Sequence, residues 1–394
     1  MKARSPLALV FLIVFIDLMG FGIVIPLLPL YGEAYHPTPV AFGFMMASYS
    51  LMQFLFAPVM GRISDRCGRR PVLLLSLAGT VAGYLLFALQ DSFAMLVAAR
   101  VAGGIMGANV ATAQAVIADI TGPEDRARGM GLIGAAFGLG FILGPALGGT
   151  AHRLGHSFPG LLAAALSATA LILAWLTLPE TWPPERRARA PVSEKGWFKL
   201  RQLEAALRHP QVGLLLVLFF LSTFAFANFE STFALLLLER FGLSMIQVTY
   251  LFVFIGVLAA LVQGGLIGRL SRRFGERKLI LSGAALLLPT YLALVGVASL
   301  PALLGLLPIL ALGAGLVGPA LSSLVSRLSA EDEQGGILGV YQSMASLARI
   351  LGPFWGVYAF TRLGSAAPYW TAAGTAVVVL LLAFVLWARP GDSA

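Results

Sequence analysis

The chain has 394 residues, of which 58% are hydrophobic and only 11% charged, and its mean hydropathy is +0.87. Soluble domains carry about a quarter charged residues, so these figures exclude a soluble globular protein. A single cysteine, Cys67, excludes a disulfide framework and a cysteine-rich metal site.

Apolar runs of about 20 residues, long enough to cross a ~30 Å hydrocarbon core, recur along the chain. They are predicted at 5–30, 41–61, 72–89, 94–118, 127–151 and 158–178. A polar stretch follows at 179–210, and six more runs occupy 211–238, 246–267, 278–298, 301–326, 336–360 and 366–388. The prediction is an all-α membrane protein of twelve transmembrane helices. Its parts are an N-terminal half (1–178), a linker (179–210) and a C-terminal half (211–394). The first run is too long and too glycine-rich for a cleavable signal peptide. Prolines and clustered charge in the linker's "PETWPPERRARAP" leave little to bury, which predicts mobility. After it, Trp197, Leu200, Leu203 and Leu207 recur at helical spacing, which fits an amphipathic helix on the inner membrane surface or a connector packed on the bundle.

Of the 27 lysines and arginines, all but Arg100, Arg153, Arg240, Arg349 and Arg362 fall in the termini, the linker, or the connections 62–70, 119–126 (with Arg128), 268–278 and 327–335. The positive-inside rule therefore places both termini and these connections in the cytoplasm, with the chain in the cell membrane. The net charge of +9 is a topology signal, and nucleic acid is not an expected partner.

The connection "GRISDRCGRR" at 61–70 has an echo, "GRLSRRFGER", at 268–277. "LGP" at 143–145 likewise returns at 351–353, so the halves read as copies about 207 residues apart. Such duplication, with a ligand path at the repeat interface, is common in secondary transporters. In the first copy Gly61 and Gly68 permit a tight helix–loop–helix corner, and Arg62, Arg66, Arg69 and Arg70 hold it on one side. Asp65 is the one acid among them. It is expected to accept from an arginine of its own loop or to sit at a neighbouring helix N-terminus, where the dipole favours an anion. Either contact is of a kind that one conformation makes and another breaks. In the echo Arg272 replaces Asp65, so that corner is expected to have lost its acid and to serve as an arginine-rich anchor.

Ionisable groups at bilayer depth are costly and mark pathways or relays. Four stand inside the spans: Asp17, Arg100, Glu230 and Arg349. Asp17, roughly 18 Å along the first span, and Glu230 in the seventh are the candidate proton carriers. Arg100 is the expected modulator, and Arg349 stands beside the second "LGP". In the fifth span Gly134 and Gly138 form one stripe and Gly140, Gly144 and Gly148 another, with Gly149 beside them. Small residues at this spacing let helices approach closely, and Pro145 can bend the helix. Polar groups within spans, Gln53, Asn109, Gln114, Asn228, Gln263 and Gln342, are candidate substrate contacts. The aromatics Phe137, Phe141, Phe226, Phe229, Phe233 and Tyr341 are the candidate cavity wall. His152 and His156 have the spacing of a metal pair, but no third ligand is evident, so no metal is expected. There is no GxxxxGK[ST] loop, which leaves ATP drive without support. A membrane transferase would need clustered acids or a His-rich edge, and the short acidic run at 331–333 reads as solvated loop, so no enzyme is expected.

"GRISDRCGRRPVL" resembles the hallmark loop between the second and third helices of the major facilitator superfamily. "GAAFGLGFILGPALGG" at 134–149 resembles the fifth-helix signature of its drug:proton antiporter branch. "ARVAGGIMGA" at 99–108 resembles that branch's fourth-helix arginine motif, and "FIDLMGFGIVIPLLP" at 15–29 its first-helix motif. The resemblance implies a twelve-helix major facilitator fold that exports a small lipophilic, drug-like compound in exchange for protons by alternating access, without a cofactor. It lends Glu230, in "FE", the role of a seventh-helix proton carrier, and it makes Asp65 with its arginines a cytoplasmic gate. Tetracycline exporters of the branch carry acids in the third and ninth helices; "LSLAGTVAGYLLFAL" and "LILSGAALLLPTYLAL" have none, which speaks against tetracycline itself as cargo. The alternatives are a proton-coupled importer and an exporter of an endogenous metabolite or lipid. Expected partners are the small-molecule substrate, protons and the lipid bilayer, with the chain a monomer.

Overall fold

The structure, a computed structural model, describes residues 6–24, 27–183, 207–208, 211–243, 245–330 and 333–388. Its regular elements are all helical among those residues. The first eight are α1 (Pro6–Val24), α2 (Leu28–Glu33), α3 (Pro39–Cys67), α4 (Arg69–Ala88), α5 (Phe93–Met106), α6 (Val110–Ile120), α7 (Arg126–His152) and α8 (Phe158–Thr177). Then follow α9 (Val212–Phe241), α10 (Met245–Leu261), α11 (Ile267–Phe274), α12 (Glu276–Gly296), α13 (Leu300–Leu328), α14 (Gln334–Leu363) and α15 (Ala367–Ala388). A 3₁₀ turn, Gly107–Asn109, joins α5 to α6, and a π turn, Val262–Leu266, joins α10 to α11. Counting each joined pair as one span, ten spans are long and apolar enough to cross a membrane among the described residues. With α7 and α14, of 27 and 30 residues, they make the twelve.

Local chemistry sets the boundaries. Thr38 caps α3 by accepting from the Ala41 N–H at 3.3 Å, with Pro39 in the first turn. Ser92 caps α5 in the same way. Gly68 (φ 104°) ends α3 and starts α4, and Gly275 (φ 76°) does the same between α11 and α12. Both adopt backbone angles that side chains resist. These are the equivalent glycines of the two corner sequences, so the duplication is visible in the turns.

The helices form two compact units. Unit 1 comprises residues 1–122, 136–203 and 329–346; unit 2 comprises 123–135, 204–328 and 347–394. Within unit 1, α4 packs on α8 and α5, α8 on α1, and α3 on α5. Within unit 2 the equivalents repeat: α12 packs on α15 and α13, α15 on α9, and α10 on α13. Helix α7 belongs to unit 2 up to Ala135 and to unit 1 thereafter, and α14 to unit 1 up to Ser346 and to unit 2 thereafter.

The glycine stripes of α7 have separate partners. A Cβ on Gly22 of α1 would lie 2.5 Å from the Gly140 carbonyl oxygen, and one on Gly148 would lie 2.5 Å from that of Ile23. Gly144 faces Gly22 directly. Gly131 and Gly134, in the unit 2 portion, meet Gln263 of the π turn. Gly149 has nothing within 4 Å. In lipid, where helix association depends on packing rather than on water exclusion, the stripe of Gly140, Gly144 and Gly148 is what seats α7 on α1.

Two histidines near the end of α7 are engaged elsewhere. The Tyr31 hydroxyl donates to the His156 carbonyl at 2.7 Å and meets His152 Nδ1 at 3.0 Å. The His156 ring stacks on Tyr31 with centroids 4.0 Å apart. Burial, then the charge of His152, holds His156 below the usual histidine value.

Gly144→Val should cost about 1–3 kcal/mol or more through overpacking and lower both folded yield and the thermal midpoint in detergent. Gly149→Val, on the same helix, should leave both unchanged. Equal losses from the two would show that helix propensity, not the α1 contact, is what these glycines serve.

Candidate functional site

The corner at 61–70 is built around one buried arginine. Arg69, the first residue of α4, has no exposed surface. Its Nη1 donates to Asp65 Oδ1 and, at 2.8 Å, to Ser64 Oγ; its Nε donates to Asp119 Oδ2 at 3.1 Å. The ion pair with Asp65 is the i, i+4 type, so the single-residue corner at Gly68 places both on one buried face. Three further features of the corner lie outside the sequence reading. Glu180 Oε1 accepts the Arg69 backbone N–H at 2.9 Å; Trp182 Nε1 donates to the Asp65 carbonyl at 2.6 Å; and the Trp182 ring lies under the Arg69 guanidinium, 4.6 Å to the centroid. Residues 180–183 of the supposed mobile linker are thus a placed segment, Trp182 being 1% exposed. The reason is that the proline-flanked Trp182 has an apolar face to bury. The remainder, 184–206 with Trp197, Leu200 and Leu203, lies outside the described residues.

Asp65 faces the start of α14. Its Oδ1 accepts the Gly335 N–H at 3.0 Å and its Oδ2 the Gly336 N–H at 2.8 Å. These are first-turn donors with no helical partner, where the dipole favours an anion. The expected N-terminal contact and the expected arginine contact therefore exist together. Gly61 lies against the Gly335 carbonyl, and a Cβ on Gly339 would lie 2.5 Å from the Ala57 carbonyl. Ser343 Oγ donates to the Phe54 carbonyl at 2.7 Å. Arg66 is exposed and Arg70 half-buried, with its Nη2 on the Trp175 carbonyl at 2.7 Å.

The echo corner has Arg272 in the place of Asp65 but carries an acid elsewhere. Glu276, equivalent to Arg69, is buried and accepts from Ser323 Oγ at 3.0 Å and Arg327 Nη1 at 2.9 Å. Arg327 is the equivalent of Asp119, so the Arg69–Asp119 pair recurs as Glu276–Arg327 with its charges exchanged. Aligning the two copies through 119 and 327 as well as through the corners would have revealed this. Arg272 is exposed, with its Nε on the Gly268 carbonyl of its own helix at 3.4 Å. Nearby, Arg126 Nη1 at the start of α7 donates to Ser326 Oγ at 3.0 Å.

At membrane depth, Asp17 is buried on α1. Asn109 Nδ2 donates to its Oδ2 at 3.1 Å and Ser167 Oγ to its Oδ1 at 3.3 Å. Both partners are neutral. Arg100, expected as its modulator, lies instead over the Tyr49 ring at 4.7 Å, with Nη2 at 3.5 Å from the Met46 carbonyl and Nε without a hydrogen bond. A cavity of about 20 Å³, lined by Tyr49, Tyr84, Phe87 and Arg100, is room for about one water. Glu230, on α9, is exposed, and the half-buried Arg349 of α14 is the charge that acts on it.

Several expected cavity residues are interior packing. Phe229 and Phe233 are 1% and 0% exposed and pair at 4.8 Å, with Tyr291, Tyr369 and Phe252 as further ring neighbours. Tyr341 is buried as well. Asn228 is fully buried, and its Nδ2 donates to the Pro368 carbonyl at 2.7 Å, tying α9 to α15. An aromatic on a buried helix face and one on a lining face have the same spacing, so periodicity does not separate them. Gln342 Nε2 donates to Gln114 Oε1 at 3.1 Å, and Gln53 Nε2 to the Gly107 carbonyl at 3.0 Å. Phe137 and Phe226 are half-buried. Gly138, Phe141 and Pro145 lie on α7.

With this geometry in hand, comparison with known proteins is direct. The family profile described as Major Facilitator Superfamily matches residues 10–353, with a second match at 264–394. The chain is 36% identical to the class C tetracycline resistance protein of Escherichia coli, over 90% of this chain and 89% of that protein. It is 35% identical to the major facilitator superfamily domain-containing protein 10 of Bos taurus, over 93% and 89% of the two chains. The crystal structure of the human organic anion transporter MFSD10 (TETRAN) superposes with a TM-score of 0.88 at 30% identity, covering 97% of this chain and all of that one. Twelve spans, a duplicated helix-packing order and a glycine-flanked corner are the features that such a match requires. The chain belongs to the major facilitator superfamily, a family of membrane transporters.

Proposed function

We propose that the protein exports a small lipophilic, drug-like compound across the cell membrane in exchange for protons. The observation that carries this reading is the pair of carboxylates at membrane depth, Asp17 and Glu230. A charge there is tolerated only in a water-filled or specifically partnered place. Glu230 has Arg349 as its nearby cation. Asp17 meets that condition through neutral donors alone. In this reading Glu230 and Asp17 are the two proton carriers, one paired with a cation and the other held by neutral donors. No bound cofactor takes part; the proton gradient supplies the energy. Likeness to a tetracycline resistance protein supports efflux and a part in antibiotic resistance, although the third and ninth helices lack the acids expected of tetracycline exporters.

In this reading both termini and the 61–70 corner are cytoplasmic, and Asp65 on the first turn of α14 is a latch that one conformation makes and the other breaks. Arg272, exposed and bonded among the described residues to its own helix, has no such part. A second reading, an organic anion as cargo, is favoured by the likeness to human MFSD10. A substrate panel of cations, neutral compounds and anions separates the two.

In inverted vesicles with an imposed pH gradient, Glu230→Gln should insert normally and lose proton-driven uptake by about tenfold or more; undiminished uptake would remove Glu230 from the coupling step. Asp65→Asn should impair transport several-fold more than Arg272→Asn at equal membrane abundance. Equal losses would abolish the asymmetry assigned to the two corners.

A further inference from the structure

The segment that follows α8, Leu178–Pro183, reaches the corner through four interactions. Glu180 Oε1 takes the backbone N–H of Arg69 at 2.9 Å and that of Trp182 at 3.0 Å. A carboxylate thus caps the start of α4, where the preceding Gly68 offers no side chain. Thr181 Oγ1 donates to Asp119 Oδ2 at 3.0 Å, the same oxygen that receives Arg69 Nε. Trp182 donates to the Asp65 carbonyl at 2.6 Å, and its ring centroid lies 4.6 Å from Arg69 Cζ.

Arg69 needs this cover. It is wholly buried, its Nη2 has no hydrogen bond among the described residues, and the Trp182 ring lies over the cation. Asp65 depends on Arg69 in turn, because a buried carboxylate without its cation is costly. The same carboxylate supplies both oxygens to Gly335 and Gly336. Trp182 therefore touches Asp65 twice: directly at its carbonyl, and through Arg69 at its side chain.

We propose that Trp182 is a positioning residue of the latch, and that the strap 179–183 makes the start of the linker part of the gate. Seated, Trp182 holds Arg69 and Asp65 where the first turn of α14 can dock. Withdrawn, it leaves Arg69 uncovered and Asp65 free to turn from Gly335 and Gly336. The inference rests on the latch reading of Asp65, and its test separates the two.

The reporter is a cysteine at Ala57, which is 1% exposed and packed against Gly339 of α14, in a Cys67→Ser background. Its alkylation rate by N-ethylmaleimide rises when the start of α14 leaves the corner. That rate and transport are measured for the parent, Asp65→Asn, Trp182→Ala, Trp182→Phe and the Asp65→Asn/Trp182→Ala double variant. Asp65→Asn should raise alkylation roughly tenfold, which corresponds to about 1.4 kcal/mol. Trp182→Ala should raise it by a similar factor, and the double variant by no more than either single one. Trp182→Phe keeps a ring over Arg69 but loses the Nε1 donor, and should fall between. A rise with Asp65→Asn but none with either Trp182 variant overturns the strap and leaves the latch standing. Multiplied effects in the double variant show that Trp182 does not act through Asp65, and overturn it too. No rise with Asp65→Asn overturns both.

Discussion

A carboxylate on two backbone N–H groups is the interaction around which the 61–70 corner is arranged. Asp65 sits where the first turn of α14 presents donors that no helical carbonyl can satisfy. To reach them it must be buried, which requires a cation beside it, and Arg69 is that cation. To be buried itself, Arg69 requires a second acid and an apolar cover, which Asp119 and Trp182 supply. Each requirement follows from the cost of leaving a buried charge unpaired. The close approach that makes the contact possible depends on Gly61, Gly335 and Gly339, where side chains would hold the backbones apart.

The two halves solve the same corner problem with opposite charges. Arg69 with Asp119 in one copy becomes Glu276 with Arg327 in the other, at equivalent positions. Either order gives the buried member, Arg69 or Glu276, a partner of opposite charge, although Arg327, unlike Asp119, is exposed, so duplication leaves the sign free. What is not free is the residue that faces a helix N-terminus. Asp65 fits that place, and a cation such as Arg272 does not. The reversal therefore leaves one corner with a carboxylate for the incoming helix, while the start of α7 in unit 2 is held by Arg126 on Ser326 and by packing of Gly131 and Gly134 on Gln263.

Much of this was legible in the amino-acid order. Span length and hydropathy located the helices, because a lipid core imposes one length on all of them. Glycine spacing in α7 pointed to close packing, and Asp65 as the odd acid pointed to a helix N-terminus. Less legible was anything that needs a third dimension. Glu180 and Trp182 sit in a stretch whose prolines and charges read as linker, and nothing local signals that Trp182 reaches Asp65. Phe229, Phe233 and Asn228 have the spacing of a lining face but the burial of a core, since helical periodicity names a face without naming what covers it. Asp17 finds neutral donors, not Arg100, because Asn109 sits in a 3₁₀ turn that hydropathy does not register.

The central claim is that the contact between Asp65 and the start of α14 is made and broken in every transport cycle. A Cβ at Gly336 would lie 3.1 Å from Arg62 Cγ, so cysteines at 62 and 336, in a Cys67→Ser background, are placed to cross-link across this contact. Oxidation should stop transport in vesicles, and reduction should restore it. Transport that continues at full rate in fully cross-linked protein would contradict the claim.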